Sequence, residues 1–288
     1  MKTYCKILAC IDGSEVSFNA YKNALWLAKS LNAEVLVMTV LPVGQALSSA
    51  LSLFIGMKDT LRKGAEKILK EASFMAEEEG VKVKEILEEG EPFQRIIDTA
   101  YAEEVDLIVL GKTGKSGLAK GILGSTATRT IGSSPVDCLV IPKEATLRIR
   151  KLLLPVDGSP YSERANERAL FLAKAFKASV SILFVVELLF ELYETPAELV
   201  NLIETLRNEG EEIVRKMRLK FKEENIPSEA FVVQGNIAEQ IIEFSNKEEA
   251  DLIVMGSHGK TGLKRLLLGS VTEKVINFGN KPVLVVKI

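Results

Sequence analysis

The sequence predicts an α/β fold that is built twice, as a tandem repeat of two doubly wound, parallel, five-stranded sheets. Three observations predict it. Segments of the first half recur in the second, short apolar runs alternate with stretches of helical spacing, and glycine-rich turns follow the same strands in both halves. The length of 288 residues accommodates two domains of ordinary size.

The two halves are copies of each other. Matching segments occur in the same order, and each pair is offset by 145 residues, as 151 is from 6. The clearest pairs are KILACIDGS (6–14) with KLLLPVDGS (151–159), ALWLAKSLNAEV (24–35) with ALFLAKAFKASV (169–180), and VDLIVLGKTGKSGL (105–118) with ADLIVMGSHGKTGL (250–263). A repeat of this length indicates a duplicated domain, not a solenoid. We predict domains at 1–143 and 150–288, with a charged linker at 144–149.

The spacing of apolar residues predicts the elements of each half. Short apolar runs indicate buried strands, and the stretches between them place apolar residues on one helical face. In the first half the predicted strands are 7–11, 35–40, 81–87, 107–110 and 136–141, and the predicted helices are 15–31, 58–79, 92–104 and one that follows Gly124. This alternation implies right-handed crossovers and a ligand site at the carboxyl ends of the strands.

The composition is that of an ordinary globular protein, with 47% hydrophobic and 26% charged residues and a net charge of −2. This balance lacks the basic field of a nucleic-acid-binding protein, so we expect no nucleic-acid partner. The three cysteines form no metal-binding or redox spacing, and the N-terminus resembles no signal peptide. We therefore expect a cytoplasmic protein.

An uncharged segment, 35–57, is long enough to span a bilayer. It contains Pro42, however, and its counterpart in the second half carries Glu187, Glu191 and Glu194. Two copies of one fold would not differ by a membrane span, so we predict that the chain has none.

The stretch Gly114-Lys115-Ser116 resembles the end of a phosphate-binding P-loop. A P-loop needs another glycine five residues before this one. That position holds Val109, and the position that precedes Gly259 by the same distance holds Val254, both inside predicted strands. The G-x-G-x-x-G pattern of dinucleotide sites is also missing after the first strand, so neither motif explains the glycines.

Both halves instead share the spacing G-x2-G-x9-G-S. The motif comprises Gly111, Gly114 and Gly124-Ser125 in the first half, and Gly256, Gly259 and Gly269-Ser270 in the second. Glycines at the end of a strand let the backbone approach a ligand closely. The last glycine and serine begin a helix, whose free N–H groups attract anions. The spacing therefore predicts a phosphate site in each half.

With these motifs the chain resembles a tandem universal stress protein of the branch that binds ATP. The resemblance covers essentially both halves. It depends on the DGS turns after the first strands, the glycine spacing, LGSVTEKVI (268–276) and KPVLVVK (281–287). It implies a fold similar to that of the adenine-nucleotide α-hydrolase-like proteins, and a regulatory or protective role in the stress response.

The resemblance further implies ATP or AMP in each half, with Mg²⁺ as an option for a triphosphate. It places Asp12 and Asp157 near the base and ribose, and the main chain at Val40 and Val185 against the adenine edge. The other implied contacts are Gly111, Lys112, Gly114, Gly124, Ser125 and Thr126 in the first half, and Met255, Gly256, Gly259, Gly269, Ser270, Val271 and Thr272 in the second.

The second half matches the family pattern more closely than the first. Lys112 and Thr113 replace Ser257 and His258, although the spacing of the glycines is intact. The second half is therefore the better candidate for nucleotide binding.

The sequence assigns no catalytic residue. His258 would need a nucleophile or carboxylate beside it to act as a base, so we predict a structural or ligand-contact role. A slow ATPase or another enzyme of the same fold remains an alternative. An adenylating ligase of the pyrophosphatase-loop type would carry an SGGxDS-like stretch after the first strand, which CIDGSE and PVDGSP do not match, and nothing in the sequence supports a flavoprotein. Two further questions stay open: whether Asp12 and Asp157 bind a metal or cap a turn, and whether Lys115 and Lys260 meet phosphate or solvent.

The apolar closing strands, 136–141 and 283–286, predict self-association between the two halves, because exposed edge strands tend to pair. The apolar patches 46–57 and 188–192 are candidate contacts of a homodimer, with packing inside their own domain as the alternative. The sequence identifies no protein partner.

Overall fold

The structure is a computed structural model that describes residues 4–42, 55–114, 122–187, 196–260 and 268–288, without the side chains of 55–57 and 196–199. It divides into two compact units, Met1–Leu147 and Arg148–Ile288. The division lies inside the predicted linker. Lys115 and the two predicted apolar patches fall on positions whose side chains lie outside this description.

The first unit alternates strands and helices, as the apolar pattern predicts. Its elements are β1 (Lys6–Cys10), α1 (Glu15–Leu31), β2 (Glu34–Leu41), α2 (Ile55–Glu78), β3 (Val83–Glu89), α3 (Pro92–Ala102), β4 (Leu107–Gly111), α4 (Ser125–Ser133) and β5 (Asp137–Ile141). The ends differ from the predicted ends by three residues or fewer.

The second unit repeats this order. Its elements are β6 (Lys151–Pro155), α5 (Pro160–Phe176), β7 (Ser179–Val186), α6 (Pro196–Glu223), β8 (Ser228–Gln234), α7 (Ile237–Lys247), β9 (Leu252–Gly256), α8 (Ser270–Phe278) and β10 (Val283–Val286). Helices α1 and α5 begin at the same point of the repeat because a serine side chain, Ser14 or Ser159, caps each one.

Within each unit all strand pairs are parallel, which confirms the predicted fold class. The strand order is β3-β2-β1-β4-β5 in the first unit and β8-β7-β6-β9-β10 in the second. The order in which the chain adds strands to the sheet therefore reverses between β1 and β4, and between β6 and β9, although the strands themselves are parallel. In doubly wound sheets this switch point is where ligands bind, beside the carboxyl ends of the two strands.

The helices cover the strands in two layers. Helix α1 contacts α2, and α3 contacts α4, and the second unit repeats this with α5 and α6, and with α7 and α8. Right-handed crossovers put the members of each pair on the same face and the two pairs on opposite faces. The central strands are consequently buried on both sides: Leu8, Leu36, Ile108 and Leu139 are each at most 1% exposed.

The residues after β5 belong to the first unit. Asn23 on α1 donates to the carbonyl of Ala145 at 3.2 Å and accepts from the backbone N–H of Leu147. Leu147 is 2% exposed. The charged segment predicted as a linker is thus attached to α1 as far as Leu147.

In each unit an aspartate holds the starts of the two central strands together by accepting two backbone hydrogen bonds, an arrangement that we call the clamp. Oδ2 of Asp251, just before β9, accepts from the backbone N–H groups of Arg150 and Lys151 at 3.0 and 3.1 Å. Asp106 makes the same two bonds at the start of β1. The clamp fixes β1 beside β4 and β6 beside β9, and it was not predicted from the sequence.

Among the described helices, none combines the length and the apolar character needed to cross a membrane.

Removal of the Asp251 carboxylate should lower the stability of the protein by a measurable amount. We expect Asp251→Ala to lower the free energy of unfolding by about 1–3 kcal/mol, because two strand N–H groups lose their acceptor. We expect Asp251→Asn to lose less, since its amide oxygen still accepts. Urea unfolding followed by circular dichroism measures both. Equal losses for the two variants would contradict the assigned role of the acceptor.

Candidate functional site

The turn after the first strand of each unit is held by its own aspartate. Oδ1 of Asp157 accepts from the backbone N–H of Ser159 at 3.0 Å, and Asp12 accepts from Ser14 at the same distance. The residue between the aspartate and the serine is glycine in both turns, because the turn requires a positive φ at this position, for example +78° at Gly158. Each aspartate therefore shapes a tight turn, as one of the two sequence interpretations held.

The second oxygen of Asp157 reaches the loop after β9. Oδ2 accepts from the backbone N–H of Lys260 at 2.9 Å. Gly259 leaves room for this contact, because a Cβ there would lie 2.7 Å from the same oxygen. In the first unit a Cβ on Gly114 would lie 2.6 Å from Oδ2 of Asp12. The middle glycine of the motif thus lets the aspartate lie close to the second loop.

The first glycine of the motif has a different reason from the predicted approach of a ligand. A Cβ on Gly256 would lie 2.6 Å from Cβ of Tyr161 on α5, and one on Gly111 would lie 3.0 Å from Cγ1 of Val16 on α1. These glycines allow the helix to pack on the strand end. The sequence alone does not distinguish the two reasons.

The third glycine leaves the next helix without a side-chain cap. Gly269 precedes α8 and Gly124 precedes α4, and neither supplies a capping hydrogen bond. Helices α1, α5 and α7 are capped by the side chains of Ser14, Ser159 and Asn236. The first-turn N–H groups of α4 and α8 are therefore available to an anion, and the helix dipole favours negative charge there.

In the second unit these loops surround a pocket of about 620 Å³. A volume of this size is ordinary for a small-molecule site, for which the usual range is about 300–1,000 Å³. Every site residue predicted in this half lines it: Asp157, Val185, Met255, Gly256, Gly259, Gly269, Ser270, Val271 and Thr272. The pocket lies at the switch point between β6 and β9.

Part of the pocket wall was missed in the sequence. Its apolar lining includes Val156, Leu183 and Phe184 from the strand ends, and Ile237 and Ile241 from α7. The signal that could have found α7 is its position directly after β8, on the carboxyl side of the sheet. An apolar wall with a few polar groups is typical of ligand sites.

His258 is the histidine of this loop and lines the pocket. Its Nδ1 lies 3.1 Å from the Ser257 hydroxyl, and its ring centroid lies 5.1 Å from that of Tyr161. Its Nε2 is buried and has no hydrogen-bond partner in the part of the chain that the structure describes. Because a buried polar atom without a partner is costly, Nε2 is a candidate contact for a bound molecule.

Charged side chains near the pocket carry both signs. Asp157 and Glu187 line it, and so does Lys260. Nζ of Lys260 lies 2.6 Å from Oε1 of Glu209 on α6, with both side chains about half exposed. The described residues contain no cluster of three or more His, Cys, Asp or Glu side chains placed to hold a metal ion.

The first unit places its predicted residues at equivalent positions. The N–H of Gly124 donates to the carbonyl of Lys112 at 2.9 Å, as that of Gly269 donates to Ser257. Asp12, Val40, Gly111, Gly114, Ser125 and Thr126 occupy the positions that the offset of 145 assigns them. Residues 115–121, between the second and third glycines, lie outside the described residues.

Two substitutions change the local chemistry of the first unit. Lys112 takes the place of Ser257 and is 8% exposed, and burial lowers the pKa of its ammonium group. Ala127 takes the place of Thr272, whose hydroxyl donates to the carbonyl of Gly256 at 2.9 Å. In the second unit this hydrogen bond joins α8 to the end of β9. Ala127 has no hydroxyl, so it cannot make the corresponding bond between α4 and β4 in the first unit.

Comparison with known proteins decides the family. The model described as the universal stress protein family matches residues 3–142 and again residues 148–287. The chain belongs to the universal stress protein family. The two matches confirm the tandem arrangement predicted from the internal repeat.

Some relatives of this universal stress protein match about half of the chain, and others match nearly all of it. A universal stress protein of Methanocaldococcus jannaschii is 42% identical over 142 residues, which are 48% of this chain and 82% of the relative. One of Synechocystis sp. is 27% identical over 96% of this chain and 98% of its own. A solved universal stress protein of Archaeoglobus fulgidus superposes with a TM-score of 0.76 at 25% identity, covering 99% and 97% of the two chains.

The third glycine of this universal stress protein should differ in tolerance between the units. A Cβ on Gly269 would lie 2.8 Å from the Ser257 carbonyl oxygen, whereas one on Gly124 meets nothing closer than 3.6 Å among described atoms. We expect Gly269→Ala to lower the free energy of unfolding by about 1–3 kcal/mol more than Gly124→Ala. Urea denaturation measures the difference. Similar losses at both positions would show that the contact with Ser257 relaxes freely.

Proposed function

We propose that the second unit binds an adenine nucleotide, ATP or AMP, and that the chain serves as a regulatory or protective nucleotide-binding protein in the stress response. The observation that carries this proposal is the uncapped N-terminus of α8, which opens on the 620 Å³ pocket. A phosphate group is the ligand that such a helix end favours.

The lining of the pocket suits the parts of a nucleotide. The N–H groups of Ser270, Val271 and Thr272 are donors for phosphate oxygens, and the main chain near Val185 and the apolar wall suit a base. The carboxylate of Asp157 can accept from ribose hydroxyls. The residues present therefore fit the group that the family resemblance implies.

Phosphate charge would be balanced chiefly by the helix end and by Lys260. The Lys260–Glu209 pair is exposed and weak, so the lysine can exchange its partner for a phosphate at little cost. If a triphosphate binds with Mg²⁺, the ion would take most of its ligands from phosphate oxygens and water. The pocket supplies Asp157, whose two oxygens already accept backbone N–H groups.

We extend the proposal to the first unit, with Asp12, Val40, Gly111, Lys112, Gly114, Gly124, Ser125 and Thr126 as its site residues. The uncapped start of α4 supports it. Two residues behind this site differ from those in the second unit: Lys112 is buried in place of Ser257, and Ala127 has no hydroxyl where Thr272 has one. We therefore propose weaker binding there than in the second unit.

Fast hydrolysis does not follow from this geometry. The Ser257 hydroxyl and His258 Nδ1 are 3.1 Å apart, but Ser257 is 1% exposed and is not part of the pocket wall. A nucleophile must reach its substrate. We accordingly propose binding and signalling as the function, with slow ATP hydrolysis as the alternative.

A cytoplasmic location and self-association as a homodimer belong to the same proposal. Light scattering of the purified chain tests the homodimer. A mass of one chain at micromolar concentration would contradict it.

The nucleotide site can be tested by adding charge at its helix end. Ser270 is exposed, and an acidic residue in the first turn of a helix is favourable for folding but repels phosphate. We expect Ser270→Glu to weaken ATP or AMP binding at least about tenfold, near 1.4 kcal/mol, in calorimetric titration. Ser270→Gln is the matched neutral control, and we expect it to change affinity much less.

Ser125→Glu makes the same change in the first unit and separates the two sites. Loss of only the tighter binding event in the Ser270 variant would assign that event to the second unit. Unchanged affinity in both glutamate variants, or no heat and no thermal shift with either nucleotide in the unaltered chain, would refute the proposed function.

A further inference from the structure

A second concave surface lies on the outer side of the second unit, between α6 and the edge strand β8. Its volume is about 310 Å³, and it shares no lining residue with the pocket described above. Four of its lining residues are basic: Arg207, Arg215, Arg218 and Lys222. Their spacings of 8, 3 and 4 residues place them on one face of α6.

The charge of this groove is unbalanced. One acidic residue lines it, Glu211, and its carboxylate already pairs with Arg207 at 3.3 Å. The β8 side of the groove is Ala230 and Val232, which are apolar. The groove thus presents three further basic groups beside an apolar wall, an arrangement that favours an anion.

One N–H group of a guanidinium in the groove lacks an acceptor. Nε of Arg218 is buried and, among the described residues, has no hydrogen-bond partner. Leaving a buried donor of a charged group unpaired is unfavourable. An anion that enters the groove would supply an acceptor to the side chain of Arg218, which lines it, because a planar guanidinium pairs well with carboxylate or phosphate oxygens.

The first unit has different residues at the positions that correspond to this groove. The offset of 145 maps Arg218 onto Ser73 and Ala230 onto Glu85. There the Ser73 hydroxyl donates to the Glu85 carboxylate. The second unit has lost that carboxylate and gained an arginine, so the same position now lacks its internal anion and carries a cation.

We propose that the groove between α6 and β8 binds a small multivalent anion, whose phosphate or carboxylate group pairs with Arg218 in the place that the Glu85 carboxylate occupies in the first unit. The volume lies at the lower end of the range for small-molecule sites, about 300–1,000 Å³, and so favours a compact metabolite. This site is separate from the proposed nucleotide site.

The test is calorimetric titration of the full chain with sodium pyrophosphate and, separately, with citrate. The background carries both Ser125→Glu and Ser270→Glu, so that pyrophosphate binding at α4 and at α8 is suppressed. We expect one of the two anions to bind. Pyrophosphate alone would identify a phosphate ligand, and citrate alone a carboxylate ligand. No binding of either anion would overturn the proposal.

Two variants connect that binding to the groove. Arg218→Ser and Ala230→Glu install the residues of the first unit, so both substitutions are already compatible with this fold. We expect each to weaken the bound anion at least about tenfold, with the midpoint of thermal unfolding preserved. Ser73→Ala, the corresponding change in the first unit, is the matched control and should leave the affinity unchanged.

An affinity that is the same in all three variants would overturn the proposal even if an anion binds. The nucleotide titration of Arg218→Ser, made with Ser125 and Ser270 intact, keeps the two hypotheses apart. We expect it to match the unaltered chain, because Arg218 does not line the nucleotide pocket.

Discussion

The carboxylate of Asp157 is the interaction on which the proposed site depends. One of its oxygens shapes the turn after β6, and the other holds the backbone N–H of Lys260 in the loop after β9. Strands β6 and β9 are neighbours at the point where the strand order reverses. The Asp251 clamp holds these strands together at their starts, the ends opposite to the pocket. The two loops thus meet at a fixed distance and leave a pocket between them. Gly259 is required because a side chain would occupy the place of the carboxylate.

The duplication provides two versions of one scaffold in a single chain. Both versions retain the strand order, the aspartate turns and the uncapped helix at the third glycine. They differ where side chains contact the loops, as in Lys112 against Ser257, and at the sheet edge, as in Ser73 against Arg218. The side-chain differences at the loops are the reason for proposing weaker nucleotide binding in the first unit. The internal copy also serves as the natural control for substitutions in its partner.

The elements were predictable because a parallel strand buried on both faces leaves an uninterrupted apolar run. The β4 run, for example, was predicted at 107–110 and is observed at Leu107–Gly111. The glycines that line the pocket were predictable together because their spacing recurs in both halves. Their individual reasons were not: Gly256 accommodates α5, and Gly259 accommodates Asp157. A glycine in a sequence records that a side chain is unwelcome, but not which atoms exclude it.

The sequence by itself determined the tandem α/β fold, its family and the segments that form the pocket, because these depend on local periodicity and on motifs that recur. Only the tertiary structure decided which separated groups meet. Asp251 reaches the start of β6 across 100 residues, and Ala230 and Arg218 line one groove although they belong to a strand and a helix. Side-chain contacts of this kind depend on strand order and helix rotation, which no local pattern records. The reason is physical: hydrogen bonds and charge pairs act over a few ångströms in space, whatever their separation along the chain.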